Sequence, residues 1–293
     1  MSARPKLFVT GAGGMVGSYV RRAFADHELV LSDVREGWTP LDVRDAIAVK
    51  RAVTDARPDI VLHLAAATDV DRCEQEPEWA ERTNVVGTQH VVRACETSAI
   101  PLVYVSTGAV FPGDRTEPYT EADTPAPPNV YARSKHAGEK IVAALPRHYI
   151  VRAGWMFGGV GRDVKFVGKI ARLIQQGQTR LEAVDDLVGS PTYALDLLLG
   201  IRRLVEGLSY GVYHMANTGA CTRYECALAI RDALARPAVE IQPVSSDRFP
   251  LPAPRRSEAL RSVKLEALGL GMRPWRDALR EYVLTELAVP VGP

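Results

Sequence analysis

Cysteine and net charge are both scarce in this chain of 293 residues. The four cysteines, Cys73, Cys95, Cys221 and Cys226, have no zinc-ligand spacing and are too few and scattered for a disulfide framework. We therefore expect buried free thiols in a reducing compartment and no metal site. A formal net charge of +1 gives no electrostatic reason to expect nucleic acid or an acidic membrane as a partner.

Targeting and membrane-spanning segments are lacking too. No run approaches the roughly 18 apolar residues of a membrane span. The stretch "MSARPKLFVTGAGG" at the start contains neither the apolar core nor the cleavage site of a signal peptide. We therefore expect a cytoplasmic protein, and the 46% hydrophobic and 24% charged residues indicate an ordinary globular chain.

Short apolar runs alternate with helical segments in the first half of the chain. The runs are "KLFVT" (6–10), "ELVLS" (28–32), "DIVLHLAAA" (59–67), "PLVYVS" (101–106) and "YIVRAG" (149–154). Strands that are apolar throughout have no solvent face, so they indicate a parallel sheet covered by helices on both sides. The pattern predicts a doubly wound α/β domain over residues 1–154.

The strict alternation fades after about residue 155. Helical segments follow, such as "DVKFVGKIARLIQQG" and "YALDLLLGIRRLVEGL", and "GVYHMA" looks like a strand. We expect residues 155–293 to form mainly a smaller substrate domain, with the ligand in the crevice beside the sheet. A return of the chain to the first sheet near residues 180–215 is compatible with this pattern.

A glycine-rich stretch, "VTGAGGMVGSYV", directly follows the first predicted strand. Its Gly11, Gly14 and Gly17 allow a tight turn, close approach of the backbone to a pyrophosphate, and close packing of the next helix. Asp33 lies at the end of the second strand, where a carboxylate accepts hydrogen bonds from the adenosine ribose. A plain strand-to-helix turn also uses glycine, but the whole arrangement predicts a dinucleotide site.

The choice between the two nicotinamide dinucleotides depends on charge. Asp33 favours NADH because its carboxylate repels a 2′-phosphate. Arg35 weakens that preference, since a guanidinium pairs well with phosphate, although an arginine in a polar turn is often simply solvated. We expect NAD(P)H as cofactor, with a lean toward NADH.

Further motifs follow the glycine loop: "LDVRD", "LHLAAATDVDRCEQEP", "TNVVGT", "VSTGAVF" and "YARSK". In this order and spacing they resemble the extended short-chain dehydrogenase/reductases. Within that superfamily, "NVYARSKHAGE", "DDLVGSPTYALDL" and "GVYHMANTG" are similar to the dTDP-4-dehydrorhamnose reductases, which reduce nucleotide-linked keto sugars. The resemblance implies a Rossmann-type doubly wound sheet, a smaller C-terminal α/β substrate domain and a nucleotide-sugar substrate.

The resemblance also implies which residues bind the cofactor. They are Gly11, Gly14, Met15, Val16 and Gly17 at the pyrophosphate loop, Asp42 and Val43 at the adenine, and Ala65 and Ala66 along the channel. Some of them also have a purely structural explanation. Asp42 could cap the next helix, and the alanines could be small residues at a tight crossing.

Tyr131 and Lys135 stand four residues apart in "NVYARSKHAGEK", a spacing that places them on one helix face. Chance often produces such a pair, but Thr107 at the end of the fifth strand and the glycine loop favour catalysis. Tyr131 would be the acid that ketone reduction needs, with Lys135 lowering its pKa and binding the nicotinamide ribose. Thr107 would hold the carbonyl oxygen, and Asn84 is implied to order the active-site helix and water.

On the substrate side, the resemblance places Trp155 against the sugar or its phosphates, with a core position as the equal alternative. Gly189, Pro191 and Thr192 are similar to a segment that closes over the substrate, although a plain turn would look the same.

Two departures from the reductase pattern fall in the substrate pocket. Gly108 and Ala109 in "STGAVF" replace the acid and the aromatic of S-T-D-Y-V-F. The C-terminal R-P-x-N-S-x-L type segment is present only as "RRSEAL" (255–260). Gly108 is still expected beside the substrate, but the identity of the sugar stays open.

Three functions therefore compete. The first is an NAD(P)H-dependent reductase of a nucleotide-linked 4-keto-6-deoxy sugar. The second is a nucleotide-sugar epimerase, because "TGAV" has the small residue that epimerases share and lacks the Asp-Glu pair of dehydratases. The third is a non-catalytic regulatory subunit, against which the retention of Thr107, Tyr131 and Lys135 argues. The apolar "VVGTQHVVRAC" leaves a homodimer open, but a buried helix would look the same.

Overall fold

The computed structural model of the protein describes residues 4–159 and 161–287. The first three residues of the predicted dinucleotide domain, and residues 160 and 288–293 of the predicted substrate domain, lie outside the described residues. The strands are β1 (Lys6–Thr10), β2 (Glu28–Asp33), β3 (Thr39–Pro40), β4 (Ile60–His63), β5 (Leu102–Thr107), β6 (His148–Ala153), β7 (Trp155–Phe157), β8 (Arg180–Val184), β9 (Val188–Gly189), β10 (Pro191–Tyr193), β11 (Gly211–His214), β12 (Cys221–Thr222) and β13 (Glu240–Val244).

Helices connect these strands. They are α1 (Val20–Ala23), α2 (Ala46–Ala56), α3 (Val70–Gln75), α4 (Pro77–Ala80), α5 (Gly87–Thr97), α6 (Val130–Val142), α7 (Phe166–Gln175), α8 (Ala194–Val205), α9 (Arg223–Ala233), α10 (Val263–Ala267) and α11 (Trp275–Tyr282). Two π-helical segments, Glu81–Val86 and Val283–Leu287, continue α4 and α11. None of the helices in the described ranges is long and apolar enough to cross a membrane.

The described residues form one seven-stranded sheet in the order β11-β6-β5-β4-β1-β2-β3. Each neighbouring pair is parallel, so the predicted doubly wound α/β fold is confirmed. All four residues of β4 are buried, as expected for a strand covered on both faces. The strand order reverses between β1 and β4, and such a reversal opens a crevice at the carboxyl ends of the strands.

Three two-stranded sheets lie after β6. They pair β7 with β10, β9 with β12, and β8 with β13. None of these six strands was predicted, and four of them have only two or three residues, too few to show a hydrophobic period. The chain also returns to the main sheet, where β11 pairs with β6.

The main sheet separates two buried clusters. On one face, Val49 and Val53 of α2 and Val91 of α5 pack with Phe8 of β1. On the other face, residues of α7, α8 and α11 form a larger cluster that also includes Leu7 of β1. The four cysteines are buried and free, as the sequence predicted.

Candidate active site

A cavity of about 980 Å³ lies at the carboxyl ends of the sheet strands, where the C-terminal segments cover it. Most of the predicted site residues line it: Gly11, Gly14, Met15, Val16, Gly17, Asp33, Asp42, Val43, Ala65, Ala66, Thr107, Tyr131, Lys135 and Trp155. Its volume lies at the upper end of the range for ligand pockets, which suits two ligands held side by side.

The glycine loop is closely packed against its neighbours. Gly11 has a φ of +73°, and a Cβ there would lie 2.5 Å from the backbone nitrogen of Ala65. A Cβ on Gly17 would lie 2.3 Å from the carbonyl oxygen of Ala12. Both positions therefore require glycine. The helix that follows is shorter than expected: a 3-10 turn, Gly17–Tyr19, leads into the four residues of α1.

Asp33 braces this loop from the end of β2. Its Oδ2 accepts a hydrogen bond of 2.8 Å from the backbone N–H of Gly13, and its Oδ1 accepts one of 2.9 Å from the backbone N–H of Arg35. The guanidinium of Arg35 in turn donates to the carbonyl oxygen of Gly13. A carboxylate oxygen can accept more than one hydrogen bond, so Asp33 retains acceptor capacity toward the cavity it lines.

Asp42 lies farther along the same wall and pairs with Arg44. The Arg44 guanidinium lies 2.6 Å from Asp42 Oδ2, and its hydrogen bonds hold the pKa of the carboxyl below its usual value. Asp42 does not cap the next helix, since the N-cap of α2 is Asp45, whose side chain accepts from the N–H groups of Ile47 and Ala48. The structural alternative considered for Asp42 is therefore wrong.

Tyr131 and Lys135 project from the first two turns of α6. The helix begins after Asn129, whose Oδ1 accepts a hydrogen bond of 2.9 Å from the N–H of Ala132. This cap fixes the start of the helix next to Tyr131. The spacing then places Tyr131 and Lys135 on the same face, and both line the cavity beside Thr107 at the end of β5.

The protonation states of this pair differ from the prediction. Burial raises the pKa of the Tyr131 phenol above its usual value, and its interaction with the Thr107 hydroxyl offsets this only in part. Burial lowers the pKa of Lys135 to about 7, against the opposing charge of Glu139. The Tyr131 pKa is therefore raised, not lowered as predicted, because burial outweighs the other influences on the phenol. The Lys135 ammonium lies over the Tyr104 ring, 4.0 Å from its centroid.

Asn84 lies behind the cavity wall in the π-helical segment. Its Oδ1 accepts a hydrogen bond of 2.7 Å from the N–H of Ala67. Its Nδ2 donates to the Ala67 carbonyl oxygen at 3.0 Å and to Ser134 Oγ at 2.9 Å. Ser134 belongs to α6, so Asn84 ties the helix that bears Tyr131 to the loop after β4. The geometry gives Asn84 a positioning role at a buried site.

Two residues expected beside the substrate do not line the cavity. Gly108 faces the C-terminal segment, since a Cβ there would lie 3.1 Å from the carbonyl oxygen of Glu258. The fully buried Thr192 accepts a hydrogen bond from the N–H of Gly154 and donates one to the carbonyl of Ser190. Both residues lie behind the cavity wall, because tertiary packing places other groups between them and the cavity.

Trp155 forms part of the substrate-side wall. A Cβ on Gly189 would lie 2.1 Å from the indole, so glycine at that position makes room for the ring. The guanidinium carbon of Arg223 lies 3.6 Å from the centroid of the indole on a cation–π contact. The indole N–H donates to Glu258 Oε1. Trp155 is therefore both buried and a cavity residue, and its contact with the substrate stays a prediction.

Sequence reasoning missed the charged groups of this wall, among them Arg223 and Glu258. Arg223 lies between the rings of Trp155 and Phe166, and among the described residues it forms no ion pair or hydrogen bond. A guanidinium in the cavity wall that has no ion pair or hydrogen bond within the described part of the chain is suited to bind an anionic ligand. Arg223 gave no local signal, because it begins an ordinary helix; Glu258 was visible only as a departure in "RRSEAL".

Comparison with known proteins agrees with this geometry. The family described as "RmlD substrate binding domain" matches residues 5–288. A dTDP-4-dehydrorhamnose reductase of Mycolicibacterium smegmatis is 39% identical over 286 residues, which cover 95% of this chain and 85% of that protein. A solved dTDP-4-dehydrorhamnose reductase of Bacillus anthracis in complex with NADP has a TM-score of 0.89 at 34% identity and covers 96% of this chain and 99% of that chain.

A more distant structure shares the fold alone. The UDP-glucose 4-epimerase of Thermus thermophilus, solved with NAD, has a TM-score of 0.82 at 24% identity and covers 97% of this chain and 99% of that chain.

Proposed function

Because the chain belongs to the RmlD substrate binding domain family, we propose that it is an NAD(P)H-dependent reductase of a nucleotide-linked 4-keto-6-deoxy sugar. The observation that carries this proposal is that one cavity is lined by the glycine loop, by Thr107, Tyr131 and Lys135, and by Arg223, whose guanidinium forms no ion pair with any described residue. The glycine loop fits a dinucleotide pyrophosphate, the three side chains fit carbonyl reduction, and the guanidinium fits the diphosphate of a nucleotide sugar.

The cofactor half of the cavity suits a nicotinamide dinucleotide. When bound, NAD(P)H supplies the hydride for the keto carbon. The backbone N–H groups of the glycine loop would hold its pyrophosphate, and Lys135 its nicotinamide ribose. Asp33 favours NADH through its charge, whereas Arg35, which also lines the cavity, offers the positive charge that a 2′-phosphate needs. NADH is the preferred cofactor in this proposal, because Asp33 is buried whereas Arg35 is exposed.

Tyr131 is the proton donor in the proposed reaction. Its raised pKa keeps the phenol protonated at neutral pH, which a donor requires. The Thr107 hydroxyl polarises the carbonyl, and the Tyr131 proton passes to the carbonyl oxygen as the alkoxide develops. The ammonium form of Lys135 then stabilises the phenolate that remains.

The substrate half suits a sugar joined to a diphosphate. Arg223 would pair with the phosphates, and the Trp155 ring, which lies directly beneath its guanidinium, would flank the sugar. Charge-assisted hydrogen bonds from a partly desolvated guanidinium are about twice as strong as neutral ones.

One assay tests the proposal. The purified protein is mixed with NADH or NADPH and a dTDP-linked 4-keto-6-deoxy sugar, and the nicotinamide absorbance and the sugar product are followed together. Stoichiometric loss of reduced cofactor is expected, with the larger kcat/KM for NADH. Isomerisation of the sugar without net oxidation of cofactor would identify an epimerase instead, and cofactor binding without turnover on a panel of nucleotide sugars would refute catalysis.

A further inference from the structure

Glu258 is a carboxylate inside the substrate half of the cavity that the proposed chemistry does not use. Its backbone is firmly held: the N–H donates to the Val188 carbonyl oxygen at 2.8 Å, and a parallel bridge joins it to Gly189. The neighbouring Ser257 Oγ accepts a hydrogen bond of 3.1 Å from the Val188 N–H. The side chain of Glu258 is therefore attached to a fixed support.

The carbonyl oxygen of Glu258 packs against Gly108, the residue that directly follows Thr107. Glu258 and Tyr131 line the same cavity, and the charge of the Glu258 carboxylate contributes to raising the pKa of the Tyr131 phenol. Glu258 thus shares the cavity with Thr107 and Tyr131, the two residues proposed to hold the substrate carbonyl.

Only one of the two carboxylate oxygens has a protein partner within the described part of the chain. Oε1 accepts a hydrogen bond from the Trp155 indole, whereas Oε2 accepts none there. Burial raises the pKa of the Glu258 carboxyl, and the charges of the Arg223 and Arg255 guanidinium groups oppose this rise without forming an ion pair with Glu258 in the described structure. A carboxylate that is positioned by a hydrogen bond to one oxygen, and whose other oxygen accepts none from the described residues, is suited to accept a hydrogen bond from a ligand hydroxyl.

We propose that Glu258 Oε2 accepts a hydrogen bond from the ring hydroxyl next to the keto carbon of the substrate, and that this contact selects sugars that bear the hydroxyl. The proposal rests on the proposed reductase function. Glu258 then acts as a specificity-determining residue. Thr107 and Tyr131 hold the carbonyl, and Glu258 fixes the neighbouring carbon, so that two points orient the ring.

The test compares two substrates in three proteins. A dTDP-linked 4-keto-6-deoxy sugar and its analogue that lacks the C3 hydroxyl are reduced by the wild type, Glu258→Gln and Glu258→Ala. We expect the wild type to prefer the hydroxylated sugar by about 10- to 150-fold in kcat/KM, the range for hydrogen bonds to charged groups. In Glu258→Ala the preference should fall to within about threefold. The neutral acceptor of Glu258→Gln should leave about 2- to 13-fold.

The possible outcomes distinguish a failure of the Glu258 proposal from a failure of the proposed reductase function. Equal losses on both substrates in Glu258→Ala would overturn the proposal, because they would mean that Glu258 only holds Trp155. A wild type without preference would overturn it as well. Failure of the wild type to reduce either sugar would overturn the reductase function itself. If Glu258→Ala does not fold, Glu258→Gln decides, since an undiminished preference in that variant contradicts a charged acceptor.

Discussion

Removing one oxygen atom from Tyr131 provides the sharpest test of the active site. The Tyr131→Phe substitution deletes the phenolic hydroxyl and leaves the ring, which packs beside Trp79 and Val130 against a small buried cluster. The helix cap at Asn129 and the cofactor loop are untouched. The protein should therefore fold and bind cofactor normally, while the proton donor is absent.

The size of the effect follows from the role assigned to the hydroxyl. A positioned general acid typically contributes about 10²–10⁴-fold to the rate, which corresponds to roughly 2.7–5.4 kcal/mol in activation free energy. The free energy of unfolding should change by only about 1 kcal/mol, since the variant loses at most the interaction with Thr107. Activity and stability should thus respond on clearly different scales.

The assay combines single-turnover reduction of the dTDP-linked keto sugar with a titration of cofactor by fluorescence. Tyr149→Phe is the matched control, because its buried hydroxyl donates to the Leu208 carbonyl oxygen at 2.8 Å, and the residue does not line the cavity. We expect that control to keep nearly the full rate. If Tyr131→Phe retained more than about a tenth of the wild-type rate with normal cofactor binding, the assignment of the acid would be wrong.

Three further substitutions or measurements test other parts of the site. Arg223→Met should raise KM for the nucleotide sugar by about 10- to 100-fold, because the substitution removes the guanidinium proposed to pair with the phosphates. Steady-state kinetics at varied sugar concentration checks this. Labelling of Lys135 by an amine-reactive anhydride should rise through pH 7 and level off near pH 8, because the pKa of Lys135 is lowered to about 7. An ordinary lysine, with a pKa of about 10.4, gains reactivity well beyond that pH. Mass spectrometry of the labelled peptide measures the extent of labelling. Asn84→Ala should lower kcat and destabilise the fold by about 2–4 kcal/mol, because it removes two buried hydrogen bonds to the Ala67 backbone and one to Ser134 Oγ. An unchanged chemical denaturation curve would contradict this.

The cofactor half of the site could be predicted from sequence because its residues come from contiguous strand-loop-helix units. Gly11 and Gly17 lie in the segment that directly follows β1, and Asp33 is the last residue of β2. The order of these residues in the chain therefore places all three at the same edge of the sheet. The parallel topology then adds Thr107 at the end of β5. Each of these positions is fixed by a short-range pattern and by a rule that all parallel strands obey.

The substrate half could not be predicted in the same way. Arg223 comes from α9 and Glu258 from a segment without regular structure, and they meet at Trp155 through contacts between residues far apart in the chain. No local period marks such residues. The same limit applies to Gly108 and Thr192, which were expected beside the substrate but do not line the cavity in the folded protein. Burial likewise reversed the predicted direction of the Tyr131 pKa shift, and burial is a property of the folded protein.

The two departures from the reductase pattern become one feature in the folded protein. Gly108 stands where the reductase pattern has an acid after the threonine. Because Gly108 has no side chain, the carbonyl oxygen of Glu258 packs closely against it, and a Cβ at position 108 would lie only 3.1 Å from that oxygen. The segment that this gap admits carries its own carboxylate into the cavity. An acidic group is thus missing at one position and supplied at another on the same wall. Because an aspartate at position 108 would have to displace the Glu258 segment, the two positions are coupled by packing, and the character of the substrate pocket depends on both together.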